Sequence, residues 1–226
     1  MSRELAKNPK LCRVDVLLLQ EVEGQPENRK RAVEGLALAL SLPFQHTAEN
    51  PRGGATGNGL VTLSRFPLVE MSVLPLKRFD LVVNNRRRIA LVQTVESPIG
   101  RIRLFNLHLD TRINSQSRLE QIEPIIAAAE KGTAPTVIGG DFNTGHFLWL
   151  WHIMPVSLWE DQAGAVLKRL SPLGFQTPFI GAGPTHDHFG LRLDWFFLRG
   201  LRSFAHGIEK LDFTDHHAIW VEIGLP

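Results

Sequence analysis

The sequence predicts a single domain of the α/β (α+β) class, in which buried strands alternate with amphipathic helices. Three observations predict it. Apolar runs of strand length end abruptly in polar residues, as in Asp15-Val16-Leu17-Leu18-Leu19-Gln20-Glu21-Val22 and Val137-Ile138-Gly139-Gly140-Asp141-Phe142-Asn143-Thr144. Continuous runs of this kind mark strands covered on both faces. Asn28 to Ser41 and Ser115 to Lys131 instead carry apolar residues at helical spacing. No repeat, low-complexity tract or linker interrupts the 226 residues, so residues 1–226 are read as one domain.

Taken in order, Ser2 to Arg13 is polar with Leu5, Ala6 and Leu11 and reads as a short helix. The Asp15–Val22 run is a central strand that leaves Glu21 at its end. Val33, Leu36, Ala37 and Leu40 form the apolar face of the next helix. Asn50 to Gly59, rich in Gly, is a loop. Leu60 to Ser64 is a strand stopped by Pro67, and Val69 to Leu76 is a second, with Pro75 marking an edge or an end. Arg86 to Glu96 and Arg101 to Leu109 read as a strand pair around the turn Ser97-Pro98-Ile99-Gly100. The helix over Ser115 to Lys131 contains Pro124, which predicts a kink, and stops at Gly132. Phe147 to Leu170 is aromatic-rich and helical in pattern. Leu173 to Gly183 is loop-like. Arg192 to Leu198 and Ala218 to Ile223 are the last two strands.

Composition narrows the function classes. Hydrophobic residues make up 43% and charged residues 21%, ordinary values for a globular protein. The single Cys12 cannot form an internal disulfide. A net charge of +2 is too balanced to indicate nucleic acid by itself. No apolar run reaches membrane-spanning length, and Met1 to Pro9 has no signal-peptide core. A soluble, cytoplasmic monomer is therefore the expectation. Five Trp stand beside no Tyr, and we have no physical account of that bias.

Chemistry collects at the strand ends. Glu21, His108, Asp141 with Asn143, Asp194, and Asp215 with His216 each follow or begin an apolar run. Singly, each is an ordinary turn or surface residue. Together they suit metal-assisted phosphoester hydrolysis. A hard divalent cation takes carboxylate oxygens and neutralises phosphoryl charge. A His beside a carboxylate can act as general base near neutral pH. Asn and a second His can donate to phosphoryl oxygens. No P-loop is present, so nucleotide-driven transfer is not indicated.

These segments resemble the endonuclease/exonuclease/phosphatase superfamily, whose fold is deoxyribonuclease-I-like. The matching stretches are DVLLLQEV (15–22), GLVTLSRFP (59–67), LFNLHLD (104–110), VIGGDFN (137–143), RLDWFF (192–197) and TDHHAIWVEI (214–223). They follow the family's order across nearly the whole chain. The resemblance implies a four-layer sandwich of two packed mixed sheets flanked by helices, with the site at one end. It implies Glu21 as main metal ligand, with Asp215 beside the metal. His216 would be the general base or would hold the attacking water, oriented by Asp194, and Asp141 would position or activate that water. Asn143 and His108 would contact the scissile phosphate. The family normally opens with a strand carrying a metal-binding Asn. Nothing upstream of Val14 reads as that strand, and Asn8 sits in the non-strand context Lys7-Asn8-Pro9. Truncation, a start placed too late and degeneration are the three explanations.

The resulting expectation is a Mg²⁺- or Mn²⁺-dependent phosphodiesterase acting on nucleic acid or on small or lipid phosphodiesters. Arg88, with Arg86, Arg87, Lys30 and Arg31, is the candidate phosphate-binding set; a solvated face is its plainer reading. Trp149, Trp151 and Trp159 are expected to pack against the sheet rather than meet lipid. The rival classes are a non-catalytic binding member of the same fold and a zinc hydrolase using His186, His188 and His206, a spacing that matches no strong zinc motif.

Overall fold

The computed structural model describes residues 2–49, 57–81, 87–156, 160–187 and 190–226. Most of the Gly-rich loop before Leu60 lies outside these residues, as do Arg86, Trp159 and His188.

Helix α1 (Ser2–Lys7) and a 3-10 turn (Leu11–Arg13) come first. Asn8 joins them, its Oδ1 accepting from the N–H groups of Lys10 and Leu11. It is a local cap, and no strand precedes β1 (Val16–Gly24) among the described residues. Then come α2 (Pro26–Leu40), β2 (Phe44–Glu49), β3 (Gly57–Ser64), β4 (Leu68–Pro75), β5 (Ile89–Ser97) and β6 (Gly100–His108). Helix α3 (Ser115–Glu130) runs through Pro124 and leads to β7 (Thr136–Asp141). The chain ends with β8 (Leu148–Leu150), β9 (Met154–Val156), α4 (Gln162–Leu170), β10 (Asp194–Arg199), β11 (Arg202–Glu209) and β12 (Ala218–Gly224).

Four layers follow from the side chains. A five-stranded sheet, β10-β7-β6-β5-β4, forms the centre. It is mixed, because β6 and β7 run parallel while its other pairs are antiparallel. One face carries Phe105, Leu107, Ile138 and Phe197 against Ile122, Ile125 and Ile126 of α3 and Val166 and Leu170 of α4. The opposite face carries Leu104, Val137 and Leu198 against Val16 and Leu18 of β1 and Val221 and Ile223 of β12. Strands β1-β3-β2 and β11-β12 therefore share the second β-layer, although they form separate hydrogen-bonded sheets. Leu17, Leu19, Val61, Leu63 and Trp220 turn outward from it onto Val33, Leu36 and Leu40 of α2.

Three readings of the sequence need correction. Phe147 to Leu170 is not one helical stretch: a short hairpin, β8–β9, comes before α4. Trp151 and His152 at its turn have positive φ (49° and 59°), a conformation a helix interior excludes. Strands β2 and β11 were not foreseen. Burial alternates along most of both, but Phe44 and Phe204 fall on the exposed face, so the residue types do not show the period. Trp151 does not pack against the sheet; it is 78% exposed.

Candidate active site

Three adjacent strand ends carry the centre of the site. In the β6–β7 register His108 lies beside Asp141, and in the β7–β10 register Asp141 lies beside Asp194. Residues paired across neighbouring strands project to the same face, so imidazole and two carboxylates stand side by side. His108 Nε2 is 3.3 Å from Asp141 Oδ2. Gly140 makes this possible: its φ is +134°, and a Cβ there would lie 2.1 Å from the Leu107 carbonyl oxygen. Only glycine tolerates that backbone and that approach.

Glu21 reaches the same end from the other sheet. The β1–β3 register shifts between Leu19 and Val22, and Glu21 has φ 51°. A bulge of this kind re-aims a side chain and is common beside functional sites. Gln20 anchors the bulge by donating to Asn106 Oδ1 across the sandwich (2.7 Å). The Glu21 carboxylate then lies 3.9 Å from His108 Nδ1 and 3.4 Å from Asn58 Nδ2. His108 thus sits between the carboxylates of Glu21 and Asp141.

His216 comes from the segment before β12. Its Nδ1 is 2.9 Å from Asp194 Oδ2. The same carboxylate oxygen accepts from Thr185 Oγ1 (2.7 Å), and Thr185 Oγ1 accepts from the N–H groups of Leu193 and Asp194. Thr185 therefore fixes Asp194. A lone Thr carries no sequence signal of that role. Arg118 was missed for a similar reason. It is fully buried and donates to the carbonyls of Asp110, Ile113 and Phe142 and to Gln162, tying down the loops that follow β6 and β7.

Two of the predicted residues are held by internal partners. Arg88 is 2% exposed, and its Nε donates to Asp110 Oδ1 at 2.7 Å. Gln121 holds the other oxygen of Asp110. Arg88 is thus buried rather than on a solvated face, and its Nη1 has no hydrogen-bond partner among the described residues. Asn143, at φ 52°, donates its side-chain amide to Leu109 O and to Asp141 Oδ2. Its backbone N–H and side-chain amide thus brace both oxygens of Asp141. His217 turns away from the site to Asp187 Oδ1 (2.9 Å).

The electrostatics call for a cation. Burial, reinforced by the neighbouring charge of Asp194, pushes the Asp141 carboxyl up to about 7. For His216, burial works to lower the pKa, but the hydrogen bond and charge of Asp194, with Asp141 and Asp215, outweigh it and push it up to about 9. In the metal-free chain the imidazolium is thus the positive charge that balances the carboxylates. Hard oxygen donors with excess negative charge are the set that Mg²⁺ or Mn²⁺ takes. The residues present fit a divalent ion, with Glu21 a carboxylate about half open to solvent.

A family model described as the Endonuclease/Exonuclease/phosphatase family matches residues 2–216. The chain belongs to this family. Its members are generally hydrolases of phosphoester bonds and generally depend on a divalent metal. The fold agrees with solved members. An endonuclease/exonuclease/phosphatase from Beutenbergia cavernae superposes with a TM-score of 0.78 at 21% identity, covering 100% of this chain and 66% of that one. The mannosyl-6-phosphatase Bt3783 of Bacteroides thetaiotaomicron gives 0.66 at 15% identity, covering 98% and 90%. In sequence, the UPF0294 protein VV2535 of Vibrio vulnificus is 29% identical over 125 residues, 54% of this chain and 39% of that protein. The match thus spans well under half the length of this curated relative. No described helix is long and apolar enough to cross a membrane.

Proposed function

We propose that this member of the family is a Mg²⁺- or Mn²⁺-dependent phosphodiesterase. The observation that carries the proposal is the row His108, Asp141, Asp194 on adjacent strand ends, with His216 on Asp194 and Glu21 aimed at His108. Glu21 would hold the metal, which would offset charge on the phosphoryl oxygens. With a metal supplying the counter-charge that the imidazolium supplies without it, His216 would be neutral. Asp194 holds its Nδ1, which would leave Nε2 to take a proton from the attacking water. Asp141, braced by Asn143, accepts a hydrogen bond from that water and orients it. His108, set between the carboxylates of Glu21 and Asp141, would donate a hydrogen bond to a phosphoryl oxygen.

The test is hydrolysis of a chromogenic phosphodiester and of the matching monoester. Diester turnover that disappears with EDTA and returns with Mg²⁺ or Mn²⁺ is the expected result. Turnover of the monoester alone refutes the diester assignment. No turnover of either favours the non-catalytic binding member. A second reading, a lipid phosphodiester, rests on one feature. Trp151, Ile153 and Met154 are 78%, 48% and 48% exposed on the β8–β9 hairpin, five residues after the Asn143 loop. An amphipathic Trp at an apolar tip suits a membrane interface.

A further inference from the structure

A second set of ligating groups lies on the outer side of His216. His186 Nε2 is 3.3 Å from Asp215 Oδ2, and the rings of His186 and His216 meet edge to face with centroids 4.9 Å apart. One ligand atom each from His186, Asp215 and His216 lie within 4.8 Å of one another. Glu21 belongs to neither of the two such groups among the described residues. Asp215 faces His186 on this outer side.

The two segments that supply these groups are fastened to each other. His186 and His216 form an isolated antiparallel bridge. On either side of it, Asp187 N–H donates to Asp215 O and His217 N–H donates to Thr185 O. Below the bridge, the Thr185–Asp194 pair holds His216 by Nδ1. Outer partners of this kind fix the ring and leave the other nitrogen to a metal. The nearby cation Lys210 is already matched by Asp187, so it adds little repulsion. Asp215 is 59% exposed at its side chain, which leaves a path for an ion and room for water.

We propose that His186, Asp215 and His216 form a second cation site, selective for a borderline ion such as Zn²⁺. Two imidazoles and one carboxylate, with a fourth position open, form a zinc-type donor set. A hard ion such as Mg²⁺ prefers the oxygen donors around Glu21. An ion in the second site occupies His216, so loading competes with the base role. That consequence rests on the hydrolytic reading; the binding itself does not.

Calorimetric titration of the metal-free chain tests the site without reference to turnover. One Zn²⁺ per chain is expected, with affinity at least about tenfold lower in His186→Phe and Asp215→Asn, given that outer-shell partners alone typically contribute about 10–100-fold. Phe keeps the ring contact with His216 while removing both nitrogens. His206→Ala should bind as the parent does, since His206 packs on Phe179 instead. Should His186→Phe fail to fold, Co²⁺ added to the parent gives the answer: intense visible bands of a tetrahedral site support the proposal, and the faint bands of an octahedral oxygen site overturn it. The proposal is also overturned if the parent binds no Zn²⁺, or if His186→Phe binds it undiminished while Glu21→Gln does not.

Discussion

Asp141 and Asp194 stand directly opposite each other across the β7–β10 ladder. Two like charges in that position repel, and both side chains are buried. The fold therefore prefers Asp141 protonated, with a pKa raised from 3.8 to about 7. Its contribution to stability is present below pH 3.8 and is lost as pH rises through about 7. His216, raised from 6.5 to about 9, has the same sign: its contribution is complete below 6.5 and lost as pH rises through about 9. The metal-free chain should thus show a melting temperature that falls steadily from pH 5 to 9. Asp141→Asn should flatten the part between pH 5 and 7. A melting temperature that is constant or rises over this range would contradict the balance drawn here.

A metal that replaces the imidazolium as counter-charge should reverse that trend. Ligand that binds only the folded chain stabilises it by mass action. Added Mg²⁺ should raise the melting temperature more at pH 8, where Asp141 is ionised, than at pH 5. Glu21→Gln should remove most of the increment at both. An undiminished increment in that variant would take the metal away from the bulge.

Much of this was legible in the sequence, for identifiable reasons. Leu17-Leu18-Leu19 and Val137-Ile138 mark strands buried on both faces, and a polar residue that ends such a run must sit at a sheet end. That places Glu21, Asp141 and Asp194 without coordinates. Arg88 could not be placed this way. Local sequence shows a basic run, whereas its partner Asp110 lies across the β5–β6 pair and is revealed only by packing. Thr185 and Arg118 were invisible because their roles are hydrogen bonds made across loops, Thr185 to the Asp194 carboxylate and Arg118 to loop carbonyls and Gln162. The approach of Asp215 to His186, 29 positions away, was not legible either, because no local pattern encodes the bridge that joins the two segments.

Arg88 gives a direct test of that distinction. It is paired with Asp110 at side-chain exposures of 2% and 1%. Removing one partner of a buried pair strands the other charge, at about 3–5 kcal/mol. Arg88→Gln should therefore lower stability by that order in denaturant melts. A phosphate-binding surface arginine would behave differently: the variant would keep its stability, and nucleic-acid binding would lose part of its salt dependence. The second outcome would show that Arg88 reaches substrate.

The His216–Asp194 pair allows the sharpest separation of roles. If His216 Nε2 takes the proton from water, His216→Ala should lower kcat by roughly 10²–10⁴, the scale of general-base loss. KM should move much less, because the ground-state phosphate is held by other groups. Asp194→Asn should cost less than the loss of the base itself, since Asp194 orients the ring through Nδ1. Thr185→Val is the subtler change. It keeps the side chain's shape but removes the hydroxyl that donates to Asp194 Oδ2, so Asp194 gains freedom and kcat should fall with KM nearly constant. Thr185→Ser, which restores the hydroxyl, should recover most of that loss. His217→Ala should be nearly silent, because its ring is turned to Asp187. A mild His216→Ala beside a crippling His217→Ala would place the base on the wrong side of this segment.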